Sequence, residues 1–137
     1  MILFNYEIDF RIPNEEELSN WIKKVITGKQ FEVGEINYIF CDDEYLLKLN
    51  IEFLQHNTLT DIISFDNTMG KLIGGDIFIS IDRVKENASD FKVSFDEELH
   101  RVMIHGILHY MGFKDKTSEE KVEMRNQENL VLSQLNK

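Results

Sequence analysis

Residues 94–112, SFDEELHRVMIHGILHYMG, constrain this chain more than any other stretch. Ser94 and Glu97 are spaced as a capping box before an apolar run, and Gly112 suits the left-handed turn that ends a helix. Between them the spacing predicts one helix through EELHRVMIHGILHYM. A helix advances ~100° per residue, so His105 and His109 lie ~40° apart and can face one ion. The reversal at Gly112 lets Asp115 approach the same point from a loop. Two neutral imidazoles and one carboxylate form a three-ligand set that leaves a position for water, as catalytic zinc sites require. Such an ion lowers the pKa of its bound water to about 7, which makes a metal-bound water the expected nucleophile. No other part of the chain competes: His56 sits in a polar loop. His100 lies ~140° around the helix from His105, at the surface or behind the ligands.

The spacing of His105, His109, Gly112 and Asp115 equals that of the metzincin pattern H-E-x-x-H-x-x-G-x-x-H. Two residues depart from it. Asp115 stands where the third histidine would be, and Gly106 where the general-base glutamate would be. Without that glutamate, peptide hydrolysis by the usual route is not expected. Phosphodiester cleavage can instead draw on the charge of the ion.

The remaining elements follow from local pattern. ILFNYEIDFRI reads as a strand, in one piece or two, and Asn14 as the N-cap of a helix over EEELSNWIKKVITG that Gly28 ends. EVGEINYIFC reads as a second strand. Asp42 or Asp43 caps a helix through EYLLKLNIEFL, TDIISF is a short strand, and NTMGKLIGG is a loop or hairpin turn. DIFISI is another strand, with a short helix near DRVKENA. Thr117 and Glu120 form a second capping box that opens a last helix to about Leu135. This order predicts an α+β or mixed α/β single domain over 1–137, one mixed sheet packed on helices. The single cysteine, Cys41, excludes an internal disulfide and suits a cytoplasmic compartment. The N-terminus has no basic leader. The longest uncharged stretch, Val102 to Phe113, is far short of the roughly 20 apolar residues of a membrane span, so no membrane partner is expected.

At these residues the chain resembles the YbeY family of bacterial endoribonucleases, also called rRNA maturation factors. HGILHYMGFKDK matches the family signature H-G-x-L-H-x-x-G-[YF]-x-[HD]-x. LNIEFLQHNTLTDIISF, Leu49 to Phe65, and GDIFIS, Gly75 to Ser80, match two further blocks, and Met124 with Glu128 a fourth. The resemblance implies a fold with the metal helix central, as in the metzincins, and a groove along a sheet edge that TDIISF would help to wall. It implies one divalent ion, zinc, held by His105, His109 and Asp115. It further implies cleavage of single-stranded RNA in maturation of the 16S rRNA 3′ end and in ribosome quality control, with the ribosome or its proteins as partners.

The chain departs from the family at Asp115, usually histidine, and at Leu54, usually an arginine thought to serve the substrate phosphate. A carboxylate is a legitimate zinc ligand but a harder one, which shifts preference toward manganese. Ser64, Phe65 and Lys114 are the candidate groove residues. Ser64 either lines the groove or hydrogen-bonds locally, and Lys114 and Lys116 are otherwise solvated loop charges. Asp61 and Asp76 are read as closing turns, and Met124 as core. Glu128 is either a buried partner of a loop amide or an exposed helix charge. The formal net charge of −10 opposes RNA binding, unless some of the scattered lysines and arginines gather on the metal side. Two other readings stand beside the nuclease. One is a ribosome-associated assembly factor with a mainly structural metal; the other, disfavoured by Gly106, is a zinc metalloprotease.

Overall fold

The structure is a computed structural model, and it describes residues 1–54 and 60–135. Its elements run β1 (Ile2–Tyr6), α1 (Glu15–Gly28), β2 (Glu32–Cys41), α2 (Asp43–Leu54), β3 (Ile62–Asp66), β4 (Leu72–Ser80), α3 (Ile81–Phe91), α4 (Phe95–Tyr110) and α5 (Ser118–Leu135). The fold is α+β, with one mixed sheet in the order β1-β2-β4-β3. β1, β2 and β4 are parallel, and β3 pairs antiparallel with β4 as an edge strand.

Alternation along the strands sorts residues between two faces. Ile36, Tyr38 and Phe40 of β2 and Ile77 and Ile79 of β4 point into the main core. There they meet Leu18 and Ile22 of α1, Met103, Ile104 and Ile107 of α4, and Val131 of α5. The opposite face carries a smaller cluster in which Cys41, Leu46 and Ile63 pack with Leu49, Phe65 and Phe78 beneath α2. Fully burying each such aliphatic side chain contributes about 1.5–3 kcal/mol, so the main layer holds the fold.

Local signals place most helix ends. Ser94 Oγ accepts from Glu97 N at 3.1 Å. Thr117 and Glu120 cap each other reciprocally: Thr117 Oγ1 accepts from Glu120 N at 3.1 Å and Glu120 Oε1 from Thr117 N at 2.9 Å. Asp42, not Asp43, caps α2, with Oδ1 accepting from Tyr45 N at 2.9 Å. Gly112, at φ 101°, closes α4 in a Schellman motif: Gly112 N donates to His109 O at 3.0 Å and Phe113 N to Leu108 O at 3.1 Å.

α1 ends at Gly28, as expected, and Gln30 beyond it takes the left-handed conformation, at φ 67°. Two expectations need correction. Asn14 holds the N-cap position of α1, but its side chain makes no cap hydrogen bond. The second half of NTMGKLIGG is strand: β4 begins at Leu72, and only the residues before it form the turn, with Gly70 at φ 61°. Glycines in LIGG suggested a loop, yet Gly75 is needed inside the strand. A Cβ there would lie 2.6 Å from Tyr110 Oη, which donates to Phe65 O and Asp76 O, each at 3.1 Å. This contact ties the end of α4 to the β3–β4 pair.

Candidate metal centre

Helix α4 lies across the sheet with one side toward β4 and another toward an open cavity. Gly106 faces the sheet: a Cβ there would stand 3.0 Å from Ile77 Cδ1 and 3.3 Å from Ile62 Cδ1. The helix therefore packs close, and no glutamate has room at this position. One step around the helix, His105 and His109 turn toward a cavity of about 650 Å³ whose lining includes Asp61, Ser64, Glu98, Arg101, Asp115 and Glu128.

The Schellman turn at Gly112 brings Asp115 back over α4. Asp115 Oδ2 lies 3.2 Å from His105 Nε2 and 3.3 Å from His109 Nε2. The imidazole rings are 4.7 Å apart and nearly perpendicular. One ligand atom from each of the three residues falls within 4.8 Å of the others, and this is the one such group of histidine, cysteine and acidic side chains among the described residues.

Behind the histidines stands a buried ion-pair chain. Glu128 of α5 places Oε2 2.7 Å from His105 Nδ1 and Oε1 3.0 Å from Arg101 Nη1. Arg101 Nη2 donates to Asn129 Oδ1 at 2.9 Å. A proton on His105 Nδ1 donates to Glu128 and leaves the Nε2 lone pair facing Asp115. A carboxylate behind a ligating histidine orients the ring and raises its basicity. Burial alone would lower the His105 pKa, but the Glu128 hydrogen bond and charge, then Asp115 and Asp61, raise it above its ordinary value. Glu128 moves down despite burial, because His105 and Arg101 both bond its charged form. Two imidazole lone pairs and a carboxylate oxygen in contact repel unless a proton or a cation lies among them, so the donor set fits a divalent ion.

The family model described as Endoribonuclease YbeY matches residues 4–136. The chain belongs to the YbeY family. A Flavobacterium psychrophilum protein named "Endoribonuclease YbeY" is 59% identical over 93% of this chain and 91% of its own. A Cytophaga hutchinsonii protein of the same name is 46% identical over 97% of this chain and 94% of its own. The structure is also similar to one determined in solution for a Thermotoga maritima protein, at TM-score 0.66 and 26% identity, covering 99% of this chain and 92% of that one.

Against this YbeY frame, the sequence-derived groove changes. Ser64 is exposed on the cavity wall. Phe65, one residue on, points through the sheet and packs edge-on against Phe53 and Phe78 beneath α2. Lys114 is exposed and outside the lining. Leu54, in the place of the family arginine, is 45% exposed at the end of α2, and His56 lies outside the described residues. Lys121 and Arg125 of α5, with Arg101, bring positive charge to the cavity. Its wall is therefore mixed in sign, despite the acidic whole.

Glu128 is neither of the two things expected of it, because its partners are an imidazole and a guanidinium. Met124 is core. Asp61 stands just before β3, its carbonyl accepting from Ser80 N at 3.0 Å as the next rung of the β3–β4 ladder rather than within a turn, and its carboxyl lines the cavity. Asp76 lies away from it, accepting from Asn37 Nδ2 at 3.0 Å across β2 and β4. His100 packs edge-on against Trp21, and burial lowers its pKa. Arg101, Lys121 and Arg125 are among the scattered basic residues of which some were expected on the metal side, whereas sequence reading passed over Glu98, although it stands seven residues before His105 on the same helix face. That spacing was the available signal.

Proposed function

We propose that the chain is a metal-dependent endoribonuclease of single-stranded RNA, acting as one domain over 1–137 in the cytoplasm. The observation that carries this reading is the convergence of His105, His109 and Asp115, backed by Glu128, on the wall of a cavity that also presents cations. The family name supports the nuclease chemistry. Two imidazoles and a carboxylate are a zinc donor set, with the carboxylate opening the site to harder ions. A divalent ion bound there would supply Lewis acidity toward a phosphoryl oxygen and lower the pKa of a bound water to about 7. The chain's own residues do the rest. Glu128 keeps His105 in the tautomer with Nε2 free. Lys121 and Arg125 offer phosphate contacts that Leu54 cannot. Maturation of the 16S rRNA 3′ end, with docking on the ribosome, is the process in which we place this activity, on the strength of the four sequence blocks.

The test pairs metal analysis of protein purified without chelator or affinity nickel with RNA cleavage by the reconstituted protein and by His109→Ala. Loss of cleavage in the variant is expected, and equal activity in both would trace it to contamination. Leu54 favours a second reading, an assembly factor whose ion is structural. Chelation would then lower the melting temperature without the protein ever having cut RNA.

A further inference from the structure

Gly106 leaves α4 without the acid that the metzincin pattern places beside its first histidine. The space is filled from the sheet: Ile62 Cδ1 stands 3.3 Å from where a Gly106 Cβ would lie. β3 therefore begins against α4 level with His105. The residue before Ile62 is Asp61, and it lines the cavity together with His105, His109 and Asp115. Two hydrogen bonds set it there. Its carbonyl accepts from Ser80 N at 3.0 Å, which ties the backbone to β4. Asn87 of α3 donates Nδ2 to its Oδ2 at 3.5 Å, a long bond that steers the carboxyl without committing both oxygens.

Asp61 stands outside the ligand set. His105 forms its ion pairs with Asp115 and Glu128, and none with Asp61. The two groups nonetheless sense each other: burial pushes the Asp61 carboxyl up, and the charge of His105 is the largest influence opposing it. Polar groups that interact across such a gap are bridged by water. The other acids of the lining are placed for different work. Asp115 belongs to the triad, and Glu128 bonds His105 and Arg101. Glu98 stands two turns before His105, about 10 Å along the axis. A general base must reach the proton it takes, and its pKa is best lifted toward the operating pH. Asp61 has the position for this, and burial lifts it in that direction.

We propose that Asp61 is the general base of the phosphodiester cleavage: the carboxylate that Gly106 excludes from α4 is supplied from the start of β3. This rests on the RNA reading above and names the proton acceptor for it. A water between the triad and Asp61 gives a proton to the carboxylate, its oxygen bonds to phosphorus, and the P–O bond to the leaving ribose oxygen breaks. That oxygen takes a proton from solvent, and Asp61 returns its own to solvent, so one water is consumed for each bond cut.

The test is single-turnover cleavage of a short single-stranded RNA by zinc-loaded protein. Asp61→Asn keeps the shape of the side chain and should slow cleavage about 10²–10⁴-fold. Its zinc affinity, read by competition with a chromophoric chelator, should be unchanged. Added formate should restore part of the rate to Asp61→Ala, where a small carboxylate can enter the vacated place, and none to Asp61→Asn. The unaltered protein should cleave more slowly in heavy water, because a proton moves in the step. Full-rate cleavage by Asp61→Asn, or Asp61→Ala untouched by formate, overturns the proposal and leaves the RNA reading intact. So does a loss of zinc affinity that matches the loss of rate, which would make Asp61 a support of the ion. If the variants fail to fold, the same rate in light and heavy water overturns it. No cleavage by the unaltered protein overturns both readings.

Discussion

Glu98 and Glu128 show how one residue type takes opposite states on one cavity wall. Glu128 has an imidazole and a guanidinium, so its charge is held; Glu98 has burial without donors, so its proton is. The folded Glu98 titrates near 7 and the unfolded near 4.5. Between those values the folded state holds the extra proton, so this residue's contribution to stability falls as pH rises through that window and is flat above it. Glu98→Gln cannot ionise. Its melting temperature relative to the unaltered protein should therefore be higher at pH 8 than at pH 5, and a difference independent of pH would mean that Glu98 does not titrate there. Glu128→Gln removes the charged partner of His105. Metal affinity should drop about 10–100-fold, read by competition with a chromophoric chelator; unchanged affinity would show that Glu128 only fills space.

At the scale of elements, α4 is pressed against β4 because Gly106 has no side chain. Gly106→Glu would force a carboxylate against Ile77 and Ile62, combining overpacking with burial of an unpaired charge. Thermal denaturation should show severe destabilisation, on the order of 3 kcal/mol or more. A protein of normal stability would mean that the helix stands off the sheet. The reciprocal box at Thr117 and Glu120 opens α5, which carries Glu128 to the site. Thr117→Ala should cost about 1 kcal/mol, a loss visible in urea titration. These boxes were legible because a cap depends on residues three apart. The strand start at Leu72 was not, since a glycine pair reads as a turn until Tyr110 is placed beside Gly75.

For the whole molecule, the ligand triad joins α4 to the loop that leads into α5, so ion binding should stabilise the entire fold. At an ion concentration of 100 Kd the gain is about 2.7 kcal/mol. Zinc should raise the melting temperature of the unaltered protein and leave Asp115→Ala unmoved; no response in either would remove the triad as an ion site. Charge acts at this scale too. With a net charge of −10 and Arg101, Lys121 and Arg125 at the cavity, RNA bound as proposed would engage no more than about three phosphates there. The slope of log Kobs against log salt should be about −2, and a much steeper one would place the RNA on another surface.

The sequence by itself determined the ends of α4, the shared face of His105 and His109, the reversal that returns Asp115, and the family. Each of these is set by residues a few positions apart, or by short blocks, where helix periodicity and capping act. It also carried the alternation of β2, but not the parallel pairing of β2 with β4, since alternation is the same whichever strand lies beside it. Only the tertiary structure decided that Glu128 stands behind His105, that Arg101 and Lys121 offset an acidic chain at one cavity, that Phe65 faces away from it, and that Glu98 is buried there without a donor. Those depend on α5 and β3 being packed against α4, and burial and electrostatics are properties of what packing brings together across the chain.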